Sequence, residues 1–287
     1  MRVIGLITDY GYGMYAGQLK SVIKSIAPSA EVIDIDHSVP PFRVLSGAYV
    51  LYSSYRWLPR GSILLSIVDP LVGGPRRIVA VEAGDYVFIG PDNGILYPSV
   101  KNEGFKRGVS LDYRRVAELA RESFRGKLEE GIWRISKTFH GRDVMGPAAA
   151  LIYNGVDLAD LGEEISEDDL EPLILEKVAR LGENSFQLTV IYVDAFGNIV
   201  LSSKPQNIGL YSYSSLYITT RAGTFPAEVG RTFSDVSPGH LVVYENSSGF
   251  VEIAVNQGSA CKKLGVGVGE QVVLSALRTP LYSHEAL

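Results

Sequence analysis

Short apolar runs alternate with helix-spaced segments in the first half of the chain, and period-two runs dominate the second half. Val3 to Ile7 is a continuous apolar run, the pattern of a strand buried on both faces. Gly11 and Gly13 interrupt it. Over residues 14–26, Met14, Leu19, Val22, Ile23 and Ile26 recur at helical spacing, and Pro28 ends the segment. Val32 to Asp36 reads as a strand, and residues 43–56 as a helix with Leu45, Ala48, Tyr49 and Tyr52 on one side. Ile63 to Val68 is a strong strand. After a loop from Asp69 to Pro75, Ile78 to Glu82 and Tyr86 to Ile89 follow as strands. This order predicts an α/β N-terminal domain with a mostly parallel sheet flanked by helices.

The acidic stretch LGEEISEDDLEPL (161–173) reads as a solvated linker. Beyond it the apolar period shortens to two. Phe186 to Val193 and Ile199 to Ser202 flank a turn at Asp194–Asn198. Further strands are predicted near 209–219, 224–229, 240–245, 250–255 and 271–276, punctuated by Gly and Pro. That pattern predicts an all-β C-terminal domain, a small barrel or sandwich. The expected organisation is an α/β domain over 1–160, a linker over 161–175 and a barrel-like domain over 176–287. A length of 287 residues suits two such cores.

Composition narrows the function classes. A net charge of -5 gives no basic field for a polyphosphate backbone, so a nucleic-acid partner is not expected. No uncharged apolar run approaches the ~20 residues of a membrane span, and the N-terminus lacks the pattern of a signal peptide. Cys261 is the only cysteine, which excludes an intrachain disulfide and fits a reducing compartment. A cytoplasmic location and no membrane partner are the expectation.

Four polar loops, most of them at the ends of predicted strands, are where ligands bind in open α/β sheets. They are Thr8–Gly11, Asp36–Ser38, Asp69–Arg77 and Phe139–Asp143. Asp9 can accept both hydroxyls of a ribose, or it can serve as a turn or N-cap aspartate. Asp69, beside Arg76 and Arg77, can aim a water molecule, or form a loop salt bridge worth roughly 0–1 kcal/mol at a surface. His140, set among Gly, Arg and Asp, is either a site histidine or a structural one. Arg142 and Asp143 can simply pair and cap the following helix. Asp34, Asp36, His37, Asp69, His140 and Asp143 offer metal donors, but no ligand spacing for a metal is present. No metal and no cofactor are expected.

In the second half, Phe196 can stack on a purine and the Asn198 amide can read its edge. The alternative is a plain hairpin turn. The stretches 246–249 and 255–260, holding Ser247 and Asn256, offer hydroxyls and backbone N–H groups suited to a carboxylate, or make turns.

Together these segments resemble the S-adenosylmethionine hydroxide adenosyltransferases, relatives of fluorinase and chlorinase. The matching stretches are ITDYG (7–11), DIDHSVPPF (34–42), VDPLVGGPRR (68–77), FIGPDNG (88–94), TFHGRDVMGPAAA (138–150), VDAFGN (193–198) and EIAVNQGSA (252–260). They stand in the family's order from Ile7 to Ala260. The resemblance implies hydrolysis of S-adenosylmethionine to adenosine and methionine, with no cofactor, by a homotrimer whose sites lie between subunits. It implies a water-activating triad of Asp69, Arg76 and His140, with Asp9 on the ribose diol. Phe42 falls where halogenase relatives carry tryptophan. Phe196 and Asn198 match adenine contacts, Asp194 and Ser247 match methionine contacts, and Phe233 and Asn256 fall among the substrate-binding positions. Halogenases carry Tyr in place of Asp69. Fluorinases carry Ser in place of Gly141 and Thr in place of Val72. Two other readings are a metal-dependent nucleoside or phosphate-ester hydrolase and a non-catalytic adenosylmethionine-binding protein.

Overall fold

A computed structural model describes residues 2–124 and 133–276 and divides the chain into two compact units, Met1–Ile174 and Leu175–Leu287. Residues 277–287, assigned above to the C-terminal domain, lie outside the described residues.

The first unit begins β1 (Val3–Thr8), α1 (Met14–Ile26), β2 (Glu31–Asp36), α2 (Val44–Ser54) and β3 (Ile63–Ile67). It continues with β4 (Ile78–Ala83), β5 (Tyr86–Pro91), α3 (Tyr97–Glu103), β6 (Phe105–Leu111), α4 (Tyr113–Phe124), α5 (Gly146–Tyr153) and β7 (Gly162–Ile165). The seven strands form one sheet in the order β2-β1-β3-β5-β4-β6-β7. Ile4 and Leu6 of β1 and Ile63, Leu65 and Ile67 of β3 join one core cluster with Leu19 and Ile23 of α1, Val116 of α4 and Ala148 of α5. Every residue of β1, β3 and β5 is buried, so the continuous apolar runs report a sheet covered on both faces. Met14, placed on the apolar face of α1 by its spacing, is 64% exposed at the helix start.

The sheet is mixed rather than mostly parallel. β2, β1, β3 and β5 run parallel, whereas β4, β6 and β7 join through antiparallel pairs. The cause lies in chain length. Only Gly84 and Asp85 separate β4 from β5, enough for a hairpin and far too short for a parallel crossover. The acidic stretch also departs from a plain linker, because Gly162–Ile165 pairs with β6 as an edge strand. Its Glu163 and Glu164 are exposed, as charges on an edge strand should be.

The second unit holds β8 (Val178–Gly182), β9 (Ser185–Val193), β10 (Ile199–Leu201), β11 (Ser215–Thr220), β12 (Gly223–Val229), β13 (Leu241–Glu245), β14 (Val251–Val255) and β15 (Gln271–Ser275). Seven strands close into a barrel in the order β10-β14-β13-β12-β11-β15-β9, with β9 returning to β10 and β8 added outside on β9. Closure removes the free edges an open sheet would carry. The strand expected over 209–219 begins only at Ser215. Pro205 opens a helical turn over Pro205–Ile208, and Gly209 closes it in the left-handed region.

Candidate active site

In the first unit the candidate side chains converge at the C-terminal ends of the parallel strands β1 and β3. Asp9 follows β1 and Asp69 follows β3. Arg76 precedes β4, and His140 leads into a π-helical stretch, Gly141–Met145, that continues as α5. The loop from Asp69 is folded by a hydrogen bond from the Gly74 N–H to the Leu71 carbonyl, 2.8 Å. Gly73 has φ of +78°, and a Cβ there would collide with the Lys137 carbonyl. The loop therefore rests on the backbone just ahead of His140.

Asp69 and Arg76 form a buried pair whose side chains are 7% and 5% exposed. Arg76 Nε donates to both Asp69 oxygens, at 3.1 and 3.0 Å, and Nη2 donates to Oδ2. Arg76 Nη1 donates to the Tyr113 hydroxyl at 3.0 Å, and Nη2 lies 3.0 Å from His140 Nδ1. Burial works against the Arg76 charge, but the hydrogen bonds and charge of Asp69 outweigh it and hold its pKa above the usual value. A guanidinium only donates, so His140 Nδ1 must accept with its lone pair, and the ring is neutral with its proton on Nε2. Burial, and next the Arg76 charge, hold the His140 pKa below its ordinary value, against the opposing pull of Asp69. The Tyr113 ring meets His140 edge-on at 5.0 Å.

Asp9 sits on the same cavity wall. Burial, and more weakly the Asp69 charge, raise its pKa, while a hydrogen bond from the Phe42 N–H (3.0 Å to Oδ2) works in the other direction. Phe42 has φ of +66°, a strained conformation for a side-chain-bearing residue, and its ring is 71% exposed. Behind Asp9, the Tyr10 N–H donates to Thr8 Oγ1 (3.1 Å), which bonds His37 Nδ1 at 2.8 Å; His37 Nε2 reaches Asp34 at 3.1 Å. Thr8 and His37 are buried, so this chain braces the loop rather than facing a ligand. Arg142 and Asp143 pair with each other, at 2.6 Å, and Asp143 is fully buried. Among the described residues, no three of His, Cys, Asp and Glu are grouped to hold a metal ion.

Asp9, Phe42, Asp69 and His140 line one cavity of about 640 Å³, together with Tyr10 and Gly141. That volume suits a small organic ligand. Tyr113 escaped the sequence reading, and Tyr10 entered it only as part of the loop Thr8–Gly11 with no role of its own, since a lone tyrosine carries no spacing signal.

The second unit holds its own cavity of about 600 Å³, lined by Phe196, Asn198, Phe233 and Asn256 among others. Asp194 builds the turn that carries two of them. Its Oδ1 accepts from the Phe196 and Asn198 N–H groups at 2.9 and 2.8 Å, and its Oδ2 accepts from Asn198 Nδ2 at 2.9 Å. Asn198 keeps its carbonyl oxygen and one N–H for a ligand edge. Phe196 is 78% exposed, an unusual cost for an aromatic without a ligand role. Asn256 Nδ2 donates to the Val236 carbonyl at 2.6 Å, which fixes the cavity wall. Ser247 does not line this cavity; it stands exposed in the loop between β13 and β14. That loop is braced by Glu252, buried on β14, which accepts from Asn246 Nδ2 at 3.0 Å and from the Tyr244 hydroxyl. A glutamate inside the apolar run VEIAV was the available signal for this brace.

Comparison with known proteins covers both units. Residues 4–162 match the SAM hydroxide adenosyltransferase N-terminal domain, and residues 188–273 match the C-terminal domain of the same family. A protein of Salinispora tropica named (R)-S-adenosyl-L-methionine hydrolase is 36% identical over 95% of this chain and 97% of its own length. A protein of Thermus thermophilus with the same name is 33% identical over 96% of this chain and 100% of its own. A crystal structure of an uncharacterized conserved protein from Thermotoga maritima matches with a TM-score of 0.81 and 32% identity, covering 96% of this chain and 100% of that one. Two family domains in order, matched along nearly the whole chain, place it in the SAM hydroxide adenosyltransferase family.

Proposed function

We propose that the chain hydrolyses S-adenosyl-L-methionine to adenosine and L-methionine, by attack of water at the ribose C5′. The observation that carries this reading is the buried Asp69–Arg76–His140 cluster, of which Asp69 and His140 line one cavity with Asp9 while Arg76 pairs with them from behind the wall. It occurs in a chain whose relatives are named hydrolases of this compound. Their names specify the (R) epimer at sulfur, and we take that epimer as the substrate.

The sulfonium makes methionine a neutral leaving group, so no acid is needed for its departure. What the protein must supply is an oxygen aimed at C5′ in line with the C–S bond. Alignment alone can offset roughly 7–11 kcal/mol of a barrier. The water oxygen bonds to C5′, the C–S electron pair returns to sulfur, and the water proton passes to Asp69. We assign the proton to Asp69 because the His140 Nδ1 lone pair is engaged by Arg76. Arg76, itself held by His140, keeps the carboxylate in place, and its charge stabilises hydroxide character as it develops. A dry cavity favours a transition state in which nucleophile and sulfonium charges cancel.

In this reading Asp9 accepts the two ribose hydroxyls and Phe42 lies beside the substrate. Phe196 stacks on adenine, Asn198 reads its edge, and Phe233 lies against the adenosine. Asp194 and Ser247 meet the methionine amine and carboxylate, and Asn256 shapes the wall. We further read the protein as a homotrimer with sites shared between subunits, acting in the cytoplasm without a cofactor, on the ground of the family resemblance. Among the described residues no helix is long and apolar enough to cross a membrane. Chromatography of the product mixture tests the activity. Equal adenosine and methionine, unaffected by a chelator, are expected; adenine, adenosylhomocysteine or chelator-sensitive turnover would contradict it.

A further inference from the structure

The cavity wall contains a hydroxyl that the reaction scheme above does not use. Tyr10 follows Asp9, and its ring is clamped edge-on by Phe139 at 5.5 Å, with Tyr15 tilted against it at 6.3 Å. Its backbone N–H is fixed on Thr8, so both the ring and its root are held. The phenol is directed over Gly141, so closely that a Cβ on residue 141 would collide with the hydroxyl oxygen. The same Cβ would lie 3.2 Å from Ile67 Cδ1 and 3.3 Å from Tyr10 Cζ, so the hydroxyl is the atom that demands the glycine. Tyr10, Gly141, Asp69 and His140 all line the one cavity.

The hydroxyl makes no hydrogen bond to any of the described residues. Burial, and then the charges of Asp9 and Asp69, push its pKa far above the usual range, so the group remains an O–H donor at any working pH. Tyr10 is half-buried and lines the cavity, so its free O–H is available to an acceptor that enters there.

We propose that the Tyr10 hydroxyl, lodged over Gly141, donates a hydrogen bond to the oxygen of the attacking water. This rests on the hydrolytic reading and adds to it a third anchor for the nucleophile. A water has two protons and two lone pairs. With one lone pair accepting from Tyr10, one proton directed to Asp69 and the remaining lone pair on C5′, its orientation is fixed. Gly141 is a steric partner of Tyr10 that makes room for the hydroxyl, and together they limit the nucleophile's space.

Two measurements on the full-length protein test this. Steady-state turnover of S-adenosylmethionine by Tyr10→Phe should show kcat reduced about tenfold, the worth of one hydrogen bond, with KM nearly unchanged. Thermal melting of Gly141→Ala should show a large loss of stability in the wild-type background and a much smaller loss in the Tyr10→Phe background. A Tyr10→Phe kcat within twofold of wild type would overturn the role of the hydroxyl while leaving the hydrolytic reading intact. Equal melting losses in the two backgrounds would overturn the steric pairing. A wild-type protein that leaves S-adenosylmethionine intact would overturn both the inference and the hydrolytic reading.

Discussion

Asp69→Asn separates what the carboxylate does for the fold from what it does for the reaction. The asparagine keeps the shape and one acceptor oxygen but sets an NH2 group against the Arg76 guanidinium, where three hydrogen bonds from Arg76 now end on Asp69. Arg76, only 5% exposed, is left as a charge without its counter-ion. Removing one partner of a buried pair costs about 3–5 kcal/mol, and the contacts of Arg76 to Tyr113 and His140 place this case toward the lower end. General-base work at the same position is worth about 10²–10⁴ in turnover. Stability by urea denaturation and kcat at saturating substrate are therefore both expected to fall. The double variant Asp69→Asn/Arg76→Gln discriminates between them, since it removes the orphaned charge together with its partner. Its stability should recover most of the loss while its turnover stays at the level of the single variant or below. Turnover that recovers along with stability would refute the assignment of Asp69 as proton acceptor and reduce the pair to a structural one.

Three further outcomes follow from other contacts. Asp9→Ala should raise KM more than it lowers kcat, because a ribose contact is made in the ground and transition states alike, and steady-state kinetics would show the split. His140 titrates below its usual value in the folded chain, so the unfolded chain takes up its proton first: its contribution to stability is constant above the unfolded pKa and is lost as pH falls through the interval between the two values. His140→Asn should flatten that acid limb of the stability profile measured by denaturation. Gly197 has φ of +86° and a Cβ there would collide with Ser259 Oγ, so Gly197→Ala should destabilise the barrel unit by about 1–3 kcal/mol and weaken substrate binding, read by melting and calorimetry.

Elements whose apolar pattern follows from burial were legible in the sequence. β1 and β3 are apolar at nearly every position because both faces of the sheet are covered. Helix α1 ran from Met14 to Ile26 as its spacing predicts. β6 and α4 were not found: Lys106, Arg107 and Gly108 break the strand's alternation, and α4 is rich in exposed charge. The parallel bias failed at β4–β5, where a two-residue turn overrides the βα expectation. Candidate residues were legible as types at strand ends, but their partners were not. Asp69 reads in sequence as a carboxylate that either aims a water molecule or forms a loop salt bridge. In the structure Arg76 pairs with it, so the field against an anion is weaker than a lone carboxylate would give. His37 shows the converse, a histidine in a promising loop that is consumed by Thr8 and Asp34.

The central claim is that water attacks C5′. Turnover of S-adenosylmethionine in ¹⁸O-labelled water, followed by mass spectrometry of the nucleoside and its fragments, tests it most directly. The account predicts one ¹⁸O in the 5′-hydroxyl of adenosine, an equal amount of unlabelled methionine, and no halonucleoside in high chloride. Adenosine without label, label at C1′ with free adenine, or a halonucleoside as the main product would contradict it.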